Sequence, residues 1–96
     1  MLFRSPVLES DDFAIVVGFN SELHKEDVDN HLSLIERVRH IADSRGDSRR
    51  YRGAIAAAIT TEEAREYAQK SGFYVLEQTG DTMKLDVPEG FVPRDW

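Results

Sequence analysis

Phe13-Ala14-Ile15-Val16-Val17, followed at Lys25-Glu26-Asp27-Val28 by a run that keeps helical spacing as far as Ser44, decides the fold. The first five residues are apolar without alternation and rich in β-branched side chains, the pattern of a strand covered on both faces. In the second run Val28, Leu32, Ile35, Val38 or Arg39, and Ile41 or Ala42 recur on one face, so an amphipathic helix is expected from about Lys25 to Ser44. Glu26, Asp27 and Asp29 sit in its first turns, and Arg37, Arg39, His40 and Arg45 gather near its end. Both placements complement the helix dipole, and Gly46 is placed to cap the C-terminus.

Working outward, Leu2 to Leu8 is a short apolar stretch broken by Arg4, Ser5 and Pro6, which suits an edge strand because proline offers no ladder N–H. Glu9-Ser10-Asp11-Asp12 reads as the turn of a hairpin leading into Phe13. Beyond the long helix, residues 47–52 form a polar connector. Gly53-Ala54-Ile55-Ala56-Ala57-Ala58-Ile59 then predicts a third strand, short and uncharged although alanine favours helix. Thr60 with Glu63 has the spacing of a capping box and opens a helix over 61–71 that ends at Gly72. Phe73 to Glu77 is a strand, Thr79-Gly80-Asp81 a tight turn, and Thr82 to Val87 alternates as a half-exposed strand should. The expected fold is therefore α/β, a mixed sheet in ββαβαββ order. One domain is expected to span 1–96, with a core over about 2–87. Residues 88–96 form an irregular tail whose Phe91 and Trp96 pack back on the domain or on a partner.

Composition narrows the function classes. The chain has 96 residues, 41% hydrophobic and 31% charged, which suits a small globular core under a charged surface. So small a core makes a partner subunit covering one face a natural expectation. There is no cysteine, so disulfides and thiolate metal sites are excluded and the cytoplasm is the expected compartment. No apolar stretch is long enough to span a bilayer. The formal charge of −6 opposes non-specific binding to nucleic acid.

Asp12-Phe-Ala-Ile-Val-Val-Gly-Phe-Asn-Ser-Glu-Leu, running into Glu26-Asp-Val-Asp-Asn-His-Leu, resembles the core of the PD-(D/E)XK nuclease superfamily. More narrowly, the chain is similar to an uncharacterised bacterial family with a helical N-terminal region and a nuclease-like C-terminal domain. Arg52-Gly-Ala-Ile-Ala-Ala, Glu66-Tyr-Ala, Gly72-Phe-Tyr-Val-Leu-Glu-Gln-Thr-Gly-Asp-Thr and Pro93-Arg-Asp-Trp extend the likeness in order along the chain. The resemblance implies a reduced restriction-endonuclease-like core. It also implies Mg²⁺ held by an acid on the first hairpin strand and another on the second, with a lysine two positions later. Those positions fall here on Ser5, Gly18 and Asn20, none of which supplies an acid or a full positive charge. The expectation is an inactive relative with no catalytic residue, no metal and no cofactor.

Three constellations compete with that reading. Asp11 and Asp12 before the strand, with Glu22, Glu26 and Asp27 beyond it, are carboxylates from which a displaced metal site could be built. As a turn and a helix start they need no metal. His24, His31 and His40 have no metal-ligand spacing and are expected at the surface or on the helix flank. Arg45, Arg49, Arg50 and Arg52 form a basic loop that could bind phosphate, against the net charge. The favoured function is a non-catalytic module acting through protein contact, as a homodimer or with another protein. A nucleic-acid-binding remnant using the four arginines is the alternative, and a nuclease with migrated acidic ligands the more remote one.

Overall fold

The computed structural model describes residues 7–96. A three-residue strand, β1 (Val7–Glu9), passes through a turn into β2 (Phe13–Leu23), where the Ser10 hydroxyl accepts from the amides of Asp12 and Phe13 at 3.3 and 3.2 Å. Then follow α1 (Lys25–Ser44), β3 (Arg50–Thr60), α2 (Glu62–Lys70), β4 (Tyr74–Thr79) and β5 (Thr82–Asp86). From Phe13 onward the order is βαβαββ, a small α/β arrangement with a mixed sheet and two helices. Most of the strand expected over Leu2 to Leu8 lies outside the described residues.

The sheet runs in the order β1-β2-β3-β4-β5. β2, β3 and β4 are parallel neighbours, and β1 and β5 pair antiparallel at the two edges. Because the parallel strands advance in one direction across the sheet, two crossovers of the same hand deliver both helices to the same face. The helices touch there, through Lys25 and Glu63 at 2.7 Å and the Tyr67 hydroxyl donating to Asp29 at 2.5 Å. The result is two layers, and the body is only 24 Å deep across its thin axis. The expectation that Phe13 to Val17 is covered on both faces is thus corrected. Ala14 and Val16 are buried beneath the helices, whereas the opposite face has no covering layer: there Val17 is 9% exposed and Ile15 half-buried among their neighbours, and Phe13 is 43% exposed.

The core lies between sheet and helices. Val16, Ile55 and Val75 meet Val28, Ile35, Ala64 and Ala68, and Phe73 is wholly buried at the centre. Burying each of the large side chains is worth roughly 1.5–3 kcal/mol. Two glycines set how closely the layers approach. A Cβ on Gly53 would lie 2.4 Å from the Phe73 ring, and one on Gly18 would lie 2.9 Å from Nδ1 of His31. His31 is itself buried, with Nε2 at 3.0 Å from the Val16 carbonyl, which corrects its expected surface position. Ile41, by contrast, is half exposed, and the apolar stripe of α1 runs through Val28, His31, Ile35 and Ala42.

Both helices end alike. Gly46 (φ +73°) follows α1 and Gly72 (φ +89°) follows α2. The amides of Gly46 and Asp47 return to Asp43 and Ala42, and those of Gly72 and Phe73 to Gln69 and Ala68, at 2.9–3.1 Å. These paired bonds satisfy carbonyls that the helix leaves open, and the positive φ they need favours glycine. At the N-terminus of α2 the cap is Thr61, whose hydroxyl accepts from the Ala64 amide at 3.1 Å. The expected box between Thr60 and Glu63 does not form, because Thr60 still belongs to β3 and Glu63 is drawn to Lys25.

The tail completes the sheet. β4 pairs with β3 only from Ala54 onward, and below that point Trp96 exchanges backbone hydrogen bonds with Tyr51 at 2.6 and 3.1 Å. The Trp96 ring stacks on Phe73 at 5.2 Å between centroids. Gly53→Ala should therefore push Phe73 out of its slot and lower stability by about 1–3 kcal/mol in urea unfolding. An unchanged midpoint would mean that the ring has room to retreat.

Candidate functional site

Of the three positions that the nuclease resemblance marks, Ser5 lies outside the described residues, and Gly18 and Asn20 lie on β2. Alternate strand residues share a face, so both follow Ala14 and Val16 towards the helices. A side chain at Gly18 would point into the imidazole of His31 rather than into an open cleft. The position is thus filled from α1 as well as lacking a ligand of its own.

The acidic residues do not come together. Asp11 and Asp12 precede one end of β2 and Glu22 stands next to the other, ten residues from Asp12, which is roughly 33 Å along an extended strand. Asp27 accepts from the His24 amide at 2.8 Å at the start of α1, and Glu22 lies 3.9 Å from the His24 imidazole. Among the described residues no three His, Asp or Glu side chains converge on a metal-sized site. His24 and His40 are exposed, at opposite ends of α1.

The arginines divide among separate surroundings. Arg49 grips the Asp47 carboxylate with two nitrogens, at 2.7 and 3.0 Å, and reaches Glu9 at 3.2 Å. Tyr51 donates its hydroxyl to the same carboxylate at 2.8 Å, and its ring lies 4.7 Å from the guanidinium of Arg39. That guanidinium donates in turn to the carbonyls of Asp47 and Arg49. Hydrogen bonds from the Arg49 side chain and amide, then from Tyr51, hold Asp47 well below the usual carboxylate range, and Asp47 raises Arg49 in return. Arg39, expected to serve the helix dipole, instead tethers this connector. Arg52 lies on the other side of β3, bound to Asp95 at 2.7 Å and donating to the Tyr74 hydroxyl at 2.9 Å. Arg45 and Arg50 are exposed and form no ion pair among the described residues. The four basic side chains do not form one phosphate-binding surface, since two are committed to carboxylates in different places.

The feature that residue-by-residue reading missed is the sheet face turned away from the helices. Its centre is lined by Ile15, Val17 and Phe19 of β2, Ala54 and Ala56 of β3, Tyr74 and Leu76 of β4, and Met83 and Leu85 of β5 without one formal charge, and Arg50 and Arg52 of β3 stand at its Phe13 end. Phe19 is 64% exposed, Leu85 47% and Met83 45%. The strand parity is informative at β5. Its polar residue Asp86 faces α2, accepting from Gln69 at 2.9 Å, whereas the apolar partners in its alternation face outward. Taking about 200 Å² for a large apolar side chain, Phe19, Met83, Leu85 and Val87 together leave roughly 420 Å² in water. That is within the ~300–600 Å² of the largest patch on typical monomers, which is often functional. No helix among the described residues is long and apolar enough to cross a membrane. No known family, curated protein or solved structure matches the chain.

The buried imidazole makes a testable contribution. Burial lowers the pKa of His31, and the bond to the Val16 carbonyl opposes that only in part. In the unfolded chain the group titrates near 6.5. Between that value and the lower folded one the unfolded state binds more protons, so stability should fall as pH drops from about 7 towards 5. His31→Gln has no proton to gain and should flatten this slope in urea midpoints measured across that range. A slope unchanged by the substitution would assign it to other groups.

Proposed function

We propose that the chain is a non-catalytic module of nuclease-like ancestry that acts through protein contact, with the helix-free face of its sheet as the contact surface. The observation that carries this reading is the uncharged apolar face between Phe19 and Leu85. Leaving such a surface in water forgoes about 25 cal/mol for each Å² that a partner could cover. A reduced restriction-endonuclease-like core is consistent with βαβαββ from Phe13 onward, and His31 in the space beside Gly18 favours an inactive relative over a working enzyme. The cytoplasm remains the compartment assigned to it, on the absence of cysteine.

A nucleic-acid-binding remnant is the weaker reading. Arg49 and Arg52 are engaged by Asp47 and Asp95, which leaves Arg45 and Arg50 to meet a polyanion under a net charge of −6.

The test is a pair of titrations followed by heteronuclear NMR on the full chain. Short duplex DNA with Mg²⁺ or Mn²⁺ should leave the amides of Gly18, Asn20, Arg45 and Arg50 in place and the DNA uncut. Raising the protein concentration or adding a binding protein should move Val17, Phe19, Leu76 and Leu85. Metal-dependent cleavage would sink the reading. So would DNA affinity that falls steeply with salt and disappears in the Arg45→Ala, Arg50→Ala double variant.

A further inference from the structure

The open face has a relief that matches itself. On β3 the outward residues after Arg50 and Arg52 are Ala54, Ala56 and Ala58, and on β4 beside them they are Tyr74, Leu76 and Gln78. The sheet register fixes what stands next to what. One row across the face reads Phe19, Ala56, Leu76, Leu85, each the direct neighbour of the next. In outline that is a ridge, a furrow, a low ridge and a second ridge. A two-fold axis lying in the face, parallel to the strands and between β3 and β4, reverses this row. Leu76 of each copy then enters the Ala56 furrow of the other, and Phe19 of each meets Leu85 of the other. The rows on either side repeat the pattern, with Tyr74 beside Ala54 and Gln78 level with Ala58.

We propose that the occupant of the open face is a second copy of this chain, stacked sheet against sheet about that axis. The inference rests on the contact reading above and names its partner. Area permits it: the body measures 39 × 37 Å across its two longer axes, an outline of about 1,100 Å², which leaves room for the ~800 Å² per partner of a standard stable interface when the polar rim is included. Shape permits it too, since two twisted sheets pack about 10 Å apart with interleaved side chains and strands within about 30° of parallel. An isologous contact requires a surface complementary to itself, and the alternation of alanines on β3 with larger residues on β4 provides one. Charge permits it as well. The centre of the face carries no charge, its cations Arg50 and Arg52 standing only at the Phe13 end and Arg52 being held by Asp95, so two chains of charge −6 meet through their least acidic surface. Added salt should therefore tighten the dimer by screening the repulsion between the copies.

Light scattering on the full chain in size-exclusion chromatography, from about 10 to 500 µM, reads the outcome as mass. The expected result is twice the chain mass. Phe19→Asp or Leu85→Lys alone should give a monomer that remains folded by circular dichroism, because both side chains are well exposed in the single chain. Combining them should restore the dimer to at least about ten-fold tighter association than either single variant, by pairing opposite charges across the axis. Within one chain the two positions are three strands apart, roughly 14 Å, so that rescue can arise only between copies. Ile41→Asp, on the outer side of α1, should remain dimeric. A wild-type chain that stays monomeric over the whole range overturns the second copy as occupant. Single variants that stay dimeric, or a double variant no better than either single one, overturn this face or this axis. A monomer would leave the contact reading to a different protein partner, whereas metal-dependent cleavage or salt-sensitive DNA affinity is what overturns that reading itself.

Discussion

Phe73 fills the slot that the missing side chain of Gly53 leaves in β3, and most of the architecture meets at that ring. His31 of α1 meets it edge-on, with centroids 5.1 Å apart, and Trp96 stacks on it from the tail. Its own amide closes the C-terminal cap of α2 on the Ala68 carbonyl. One close approach thus joins the long helix, the central strand, the end of the short helix and the last residue of the sequence. In an interior packed as densely as a crystal, a methyl group at Gly53 would have to displace all of these neighbours together.

The same economy explains why one face stays open. Parallel strands that advance in one direction place both crossover helices on one side, and 96 residues contain no further helix among the described ones to cover the other. The chain nevertheless keeps Phe19, Leu76, Met83 and Leu85 on that other side, where charged residues would be the inexpensive choice for a solitary domain. The placement of Asp86 and Lys84 sharpens the point. On β5 the polar positions face the helical layer, where Asp86 binds Gln69 and lies 3.6 Å from Arg65, and the apolar positions face solvent. A strand serving only the internal core would have the opposite parity.

How much of this was legible depended on whether the signal was local. The bounds of α1 follow from spacing within twenty residues, and the glycine ends of both helices follow from the φ values their caps require. Residues 53–59 of β3 were legible as a strand despite their alanines because that stretch is short, uncharged and bounded by polar residues. The start of β3 at Arg50 was not, since Arg50 and Arg52 resemble a loop until Tyr51 is seen entering the core between them. The last residues of β2 were hidden in the same way by Asn20, Ser21 and Glu22. The long-range facts were beyond any single stretch. His31 is buried because β2 carries a glycine opposite it, thirteen residues earlier, and Trp96 has a place because β4 begins late. The open face exists only once four strands are side by side.

That distinction bears on the candidate site itself. The nuclease resemblance would place an acid at Gly18, but it does not say whether its absence there is a matter of one side chain. The structure adds that the space has been taken: α1 presents His31 to Gly18, and the imidazole is anchored there on Val16. That carbonyl can only accept, so Nε2 carries the hydrogen and the bare Nδ1 faces the glycine. A side chain introduced at Gly18 would collide with that ring, whose Nδ1 lies 2.9 Å from where its Cβ would stand, and a carboxylate there would face the bare lone pair. Regaining the acid would therefore require removing the histidine, which would in turn open a void against Phe73. Under the proposed ancestry, the loss of the ligand and the closing of the core are a single structural event, and restoring chemistry would cost stability at the ring where the fold is joined.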